Sequence, residues 1–148
     1  MKKLTLLLTF AVLTATGAIA QDYNASVGLR GGLQDSGISV KASLGGANML
    51  EGILGLDHGT NIYLLYERNV PLDVTGLNFY YGAGGNFGNW KAGDKGKGTL
   101  GIDGVVGCEY KIAGAPIVLG VDYKPCLNIV GHTGLNVYDF GFNVWVVF

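Results

Sequence analysis

Along most of this chain apolar and polar residues alternate one by one, the spacing that sends successive side chains to opposite faces of a strand. The pattern is clearest in residues 138–148. Tyr138, Phe140, Phe142, Val144, Val146 and Phe148 form one row; Asp139, Gly141, Asn143, Trp145 and Val147 form the other. The same alternation predicts seven earlier strands, over residues 24–32, 38–44, 49–57, 61–69, 76–88, 98–112 and 117–129. Clusters of Gly, Asn, Asp and Pro separate them, as turns require, and Pro71 ends the pairing of the fourth. The stretch 89–97, with Lys91, Lys95 and Lys97, reads as the longest, most polar and most mobile loop, and residues 130–136 read as another.

The two phases differ in chemistry. One is apolar throughout, from Ala25, Val27 and Leu29 to Leu119, Val121 and Tyr123. The other carries Arg30, Lys41, Lys111 and Lys124 against Glu51, Asp57, Glu67, Asp103, Glu109, Asp122 and Asp139. If the chain were soluble with its ions hidden, the apolar phase would expose far more than the few hundred Å² that a soluble monomer tolerates. Apolar outside and polar inside is the pattern of an all-β, eight-stranded antiparallel up-and-down transmembrane β-barrel. Such a barrel is just wide enough for side chains to fill. The ions are therefore expected to pair into an interior network rather than to line an open pore or a proton path. An even strand count brings both ends to one side. The turns at 45–48, 70–75 and 113–116 then face the periplasm, and those at 33–37, 58–60, 89–97 and 130–136 face outward. Tyr66, Phe79, Tyr110 and Phe148 fall near one rim and Phe87 and Tyr138 near the other, as an aromatic girdle would.

The start of the chain adds a destination. Met1-Lys2-Lys3, an apolar run to Leu13, and Ala18-Ile19-Ala20 before Gln21 read as a secretory signal peptide over residues 1–20. The apolar core is too short for the roughly 20 residues of a spanning helix. Residues 21–148 then make one barrel domain. Without Lys2 and Lys3 the ten basic residues fall to eight against eleven acidic ones, a net charge of −3. That offers no basic stripe for nucleic acid. Cys108 reads as outward and Cys126 as inward, which predicts free thiols in spite of export.

Few residues suggest chemistry. Leu54-Gly55-Leu56-Asp57, Leu100-Gly101-Ile102-Asp103 and Leu119-Gly120-Val121-Asp122 repeat one motif. Small inner residues there leave room for long charged ones opposite; a metal-binding ring of aspartates is the alternative. Two loop histidines, His58 and His132, fall short of the three or four ligands a metal site needs. No cofactor is expected. Lys91, Lys95 and Lys97 could meet lipopolysaccharide phosphates.

Asp139, Gly141, Val144, Val146 and the final Phe148 resemble the C-terminal signal of outer-membrane barrels. In that family the barrel-assembly machinery reads it. The chain from residue 21 onward looks like the OmpA/OmpX-type and lipid A deacylase-like barrels, and most like short glycine-rich barrel proteins of anaerobic Gram-negative bacteria. The resemblance implies a monomer in the cell outer membrane, in contact with lipid and lipopolysaccharide, with a structural or surface-interaction role and no enzyme activity. The deacylases use a serine–histidine–acid arrangement. Here Ser26, Ser36, Ser39 and Ser43 all lie in the first two strands and their turn, and neither histidine has a serine beside it in sequence, so that pattern does not carry over. Two other readings stay open: an outer-leaflet lipid-modifying hydrolase, and a soluble lipocalin-like carrier with its apolar side chains inside.

Overall fold

The computed structural model describes residues 23–92, 95–131 and 133–148. The expected signal segment 1–20 and His132 lie outside them. The described chain is all strand and turn: β1 Ala25–Gly32, β2 Gly37–Gly45, β3 Asn48–Gly55, β4 Gly59–Pro71, β5 Leu77–Ala92, β6 Lys95–Lys111, β7 Ile117–Tyr123, β8 Cys126–Val130, β9 Gly134–Asn136 and β10 Phe140–Val147. The strands pair antiparallel around the sheet. β1 also pairs with β10, from Ser26↔Val147 to Gly32↔Gly141, so the sheet closes on itself.

Ten segments make eight staves. β7 and β8 are one stave: β6 pairs with both in the same register, Val106↔Tyr123 and Asp103↔Cys126. Pro125 interrupts it because proline has no N–H to give the ladder, although its carbonyl still accepts from Gly104 N–H at 2.9 Å. β9 and β10 form the closing stave. Between the pairs Cys126↔Asn136 and Tyr123↔Phe140, residues 137–139 face only residues 124 and 125. That extra residue is a bulge, and bulges re-aim side chains. Here Tyr138 is left exposed and Asp139 turned inward.

One rim carries the turns at 46–47, 72–76 and 112–116, together with Ala25 and Phe148; we call it the lower rim. The upper rim carries 33–36 and 56–58, with the adjoining ends of β5, β6, β8 and β9. The tightest lower turn uses Gly45 and Gly46 at φ 102° and 60°, a left-handed pair that L side chains resist.

Two expected loops are largely strand. β5 and β6 pair through the stretch expected to be mobile, Gly88↔Thr99 to Ala92↔Lys95, so only residues 93–94 connect them. Five polar residues, Asn89, Lys91, Asp94, Lys95 and Lys97, and the glycines scattered among them hid this, because such positions carry no alternation to read. Likewise residues 134–136 belong to β9 rather than to the loop expected over 130–136.

The faces fall where alternation puts them. Phe140, Phe142 and Val144 are 55%, 52% and 39% exposed on the outer wall, and Arg30 and Glu109 are 2% and 1% exposed within. Inward glycines make room for large partners. A side-chain carbon at Gly141 would meet the Arg30 guanidinium, one at Gly55 would meet Asp35, and one at Gly120 would meet the Trp145 ring. This is the space-making role expected of the repeated Leu-Gly-x-Asp motif.

Candidate functional site

The polar face of the strands converges inside the barrel, where the described ions form two clusters. The lower one is built on β2, β3, β4 and β6. Lys41 Nζ lies 2.8 Å from Glu67 Oε2 and 3.6 Å from Glu109 Oε2. The first contact is close but off the hydrogen-bond direction. Lys41 also faces Glu51 across the β2–β3 ladder. Two rings enclose its ammonium, Tyr80 at 4.1 Å and Trp145 at 4.3 Å, a cation–π setting. Trp145 Nε1 donates to Ser39 Oγ at 2.8 Å, and Ser39 Oγ donates to Glu51. Glu109 accepts from Tyr23 Oη at 3.0 Å and Asn69 Nδ2 at 2.9 Å.

The upper cluster draws on β1, β6, β7 and the bulge. Arg30 Nη2 contacts Asp122 Oδ1 at 2.7 Å and Asp139 Oδ2 at 3.3 Å, and its Nη1 donates to the Asp35 carbonyl at 3.0 Å. One planar guanidinium thus ties three chain segments, with its fork of N–H groups fixed in one plane. Lys124 Nζ lies 3.1 Å from Asp139 Oδ2, 3.9 Å from Asp103 Oδ1 and 3.7 Å from the Tyr63 ring centre. Asn143 Nδ2 donates to Asp122 Oδ2 at 2.5 Å, and Asn86 Nδ2 donates to Asp103 Oδ2 at 2.7 Å and to Cys126 Sγ at 3.2 Å.

Tyr80 joins the clusters. Its ring covers Lys41 and its hydroxyl donates to Asp122 at 3.4 Å. Around it Ile53, Tyr63, Leu65 and Val105 form an apolar layer between the two groups of ions.

Of the residues expected in the network, the structure brings together Arg30, Lys41, Glu51, Glu67, Asp103, Glu109, Asp122, Lys124 and Asp139, all buried. Asp57 is not among them. It is exposed in the upper turn after β3, where it accepts from Ser36 N–H at 2.9 Å, because β3 stops at Gly55 and alternation lapses there. Lys111 is half-buried on the inward phase at the lower end of β6. Two contributors were missed. Asp35, expected in a turn, folds inward and accepts from Tyr63 Oη at 2.9 Å and Asn61 Nδ2 at 3.1 Å. Tyr23 precedes the first strand and enters the lower mouth. Neither lies in an alternating run, so no sequence signal marked them.

In the expected assembly signal, Phe148 is exposed on the outer wall at the lower rim. Gly141 lies inside against Arg30, and Val144 and Val146 alternate with inward Asn143 and Trp145. The three hairpin lysines do not form one basic face. Lys91 pairs with Gly96 and Lys97 with Trp90 on successive rungs, so Lys91 and Lys97 point to opposite sides. Cys108 and Cys126 are free thiols. Among the described residues no group of three or more His, Cys, Asp or Glu side chains is placed to hold a metal ion.

No protein-family model matches the chain, and no curated protein matches its sequence. Its architecture does have a counterpart, the N-terminal β-barrel domain of Pseudomonas aeruginosa OprF in its crystal structure. The TM-score is 0.66 at 17% identity, over 85% of this chain and 98% of that domain. At that identity the two share a fold: this chain is a closed, eight-stranded antiparallel barrel of the kind that domain adopts.

Proposed function

We propose that the chain is an integral outer-membrane barrel with a filled interior and no open pore, and that its role is structural or surface-interacting rather than catalytic. The observation that carries this reading is the inversion of its faces. Sixteen polar or charged side chains are buried among the described residues, while Leu29, Val40, Leu64, Phe87, Ile102 and Phe142 stand exposed on the wall. Water around that wall would be costly at about 25 cal/mol per Å² of apolar surface; lipid would not. A lipocalin-like carrier needs the opposite arrangement. A deacylase-like hydrolase finds little support either: Ser39 is committed to Glu51, Ser36 Oγ donates to the Gly32 carbonyl, and His58 Nδ1 contacts the Gln34 carbonyl. The lower rim, with short turns, would face the periplasm, and the paired β5–β6 hairpin would rise on the outer side. In the filled interior, Lys41 between Tyr80 and Trp145, and Arg30 between Asp122 and Asp139, would obstruct the axis.

Two measurements test this. The protein should fractionate with outer membranes, leave them only in detergent, and migrate faster on gels unboiled than boiled. In planar bilayers it should show no steady conductance; a stable open channel would refute the filled interior.

A further inference from the structure

Among the described residues, every charged side chain on the barrel wall below the β5–β6 hairpin lies on the inward phase, with one exception. Arg68, on β4, is exposed on the outward phase with Ile62, Leu64 and Tyr66. Its rung reads Asn48↔Arg68↔Tyr81 across β3, β4 and β5. Tyr66, two residues along the strand, and Tyr81, directly opposite, are 51% and 47% exposed. Among the described residues Arg68 has neither an ion pair nor a hydrogen bond, whereas Arg30, Lys41 and Lys124 are all paired with carboxylates. It lies three residues before the end of β4, near the lower rim.

An unpaired guanidinium cannot face hydrocarbon; it costs about 2–4 kcal/mol at mid-bilayer in a barrel and almost nothing at the interface. Two tyrosines beside it mark the depth where amphipathic rings sit at headgroup level. Arg68 therefore stands where lipid phosphates are, with its planar fork free to take two oxygens of one phosphate and the Asn48 amide on the same rung.

We propose that Arg68, flanked by Tyr66, Tyr81 and Asn48, is a binding site for the headgroup phosphate of a glycerophospholipid in the leaflet at the lower rim. This rests on the membrane reading above. It adds a phosphate contact to a wall whose other described outward side chains below the hairpin are uncharged.

The test uses the folded, detergent-solubilised full-length protein with phosphatidylglycerol as probe, counting retained lipids by native mass spectrometry. Arg68→Gln and Arg68→Lys are compared with wild type, and Lys91→Gln on the hairpin is the control. All should keep the boiled–unboiled gel shift, because Arg68 bonds to no other part of the described chain. Wild type and Lys91→Gln should hold one phosphatidylglycerol more than Arg68→Gln. The apparent affinity of Arg68→Gln should fall about tenfold, because glutamine offers the phosphate no positive charge. Arg68→Lys should recover part of it. Inorganic phosphate at the same concentration should not displace the lipid. Equal retention by wild type and Arg68→Gln would overturn the site, as would displacement by inorganic phosphate, or binding of lipid A with none of phosphatidylglycerol. Each of those outcomes leaves detergent dependence and the gel shift intact. A protein that stays folded and dispersed without detergent would instead bring down the membrane reading itself.

Discussion

The upper and lower ion clusters share one cylinder and one rule of alternation, yet they are stabilised differently. Among the described residues, the upper cluster has two cations, Arg30 and Lys124, and both reach Asp139. Its members come from β1, β6, β7, an upper turn and a bulge, so it ties together parts of the chain about a hundred residues apart. The fully buried cation of the lower cluster is Lys41, opposite three carboxylates. Hydroxyl and amide donors supply the rest: Ser39 to Glu51, and Tyr23 and Asn69 to Glu109. Glu67 has no such donor among them; its partner is Lys41. Redundancy above and dependence below should give the two clusters different tolerance to the removal of a cation.

The largest effect should come from Lys41→Met. It leaves a fully buried Glu67 without its counter-ion and opens a void between the Tyr80 and Trp145 rings. Removing one partner of a buried pair typically costs about 3–5 kcal/mol, and this site should reach the upper part of that range in urea unfolding of the barrel in lipid vesicles. Adding Glu67→Gln should restore part of the stability, because the stranded charge goes with it. If the double variant is no more stable than the single one, the dependence of Glu67 on Lys41 is refuted. Arg30→Met should cost less, about 3 kcal/mol, the low end of the same range. Asp139 keeps Lys124 and Asp122 keeps Asn143. A greater destabilisation at Arg30 than at Lys41 would reverse the comparison.

The two clusters also mark how far the sequence could be read. Alternation tells which face a side chain takes, and within ladders it located Arg30, Lys41, Glu67, Asp103, Glu109 and Asp122 inside. It fails where pairing stops. Asp57 has inward parity but lies beyond the last rung of β3, whereas Asp35 has no strand parity and folds in regardless. Partnership is a separate matter from face. Lys41 meets Glu109 and Arg30 meets Asp139 because strand register sets their heights, and register depends on turn lengths and on the bulge at 137–139. Alternation had already turned Asp139 inward, but the extra residue at 137–139, which sets its height beside Lys124, leaves no mark in a reading by twos. The β5–β6 hairpin shows the converse: glycines at 96 and 98 carry no phase, yet the ladder runs through them.

A milder effect separates space from charge in the lower cluster. Gly28 sits under the chain of β10, and a side-chain carbon there would run into the Val144 carbonyl and the Trp145 backbone. Backbone cannot step aside as a long side chain can, so Gly28→Ala should cost about 1–3 kcal/mol, the usual penalty of overpacking. It should also loosen the Trp145 ring over Lys41, seen as a red shift of tryptophan emission. An unshifted spectrum with full stability would mean that β1 and β10 are farther apart than the close approach requires.

The smallest expected effect is at the lower mouth. Tyr23 is 8% exposed, and its hydroxyl lies 3.0 and 3.1 Å from the two Glu109 oxygens. Tyr23→Phe keeps the ring and removes only that donor. Glu109 then retains Asn69 at 2.9 Å and, more distantly, Asn78 at 3.4 Å and Lys41 at 3.6 Å. A buried acceptor with other donors in place gives up only the net value of one hydrogen bond, about 1 kcal/mol. A destabilisation near that size would show that Glu109, unlike Glu67, is shared among several partners. One as large as that of Lys41→Met would mean that Tyr23 is essential to Glu109, and that the lower cluster has no spare donor anywhere.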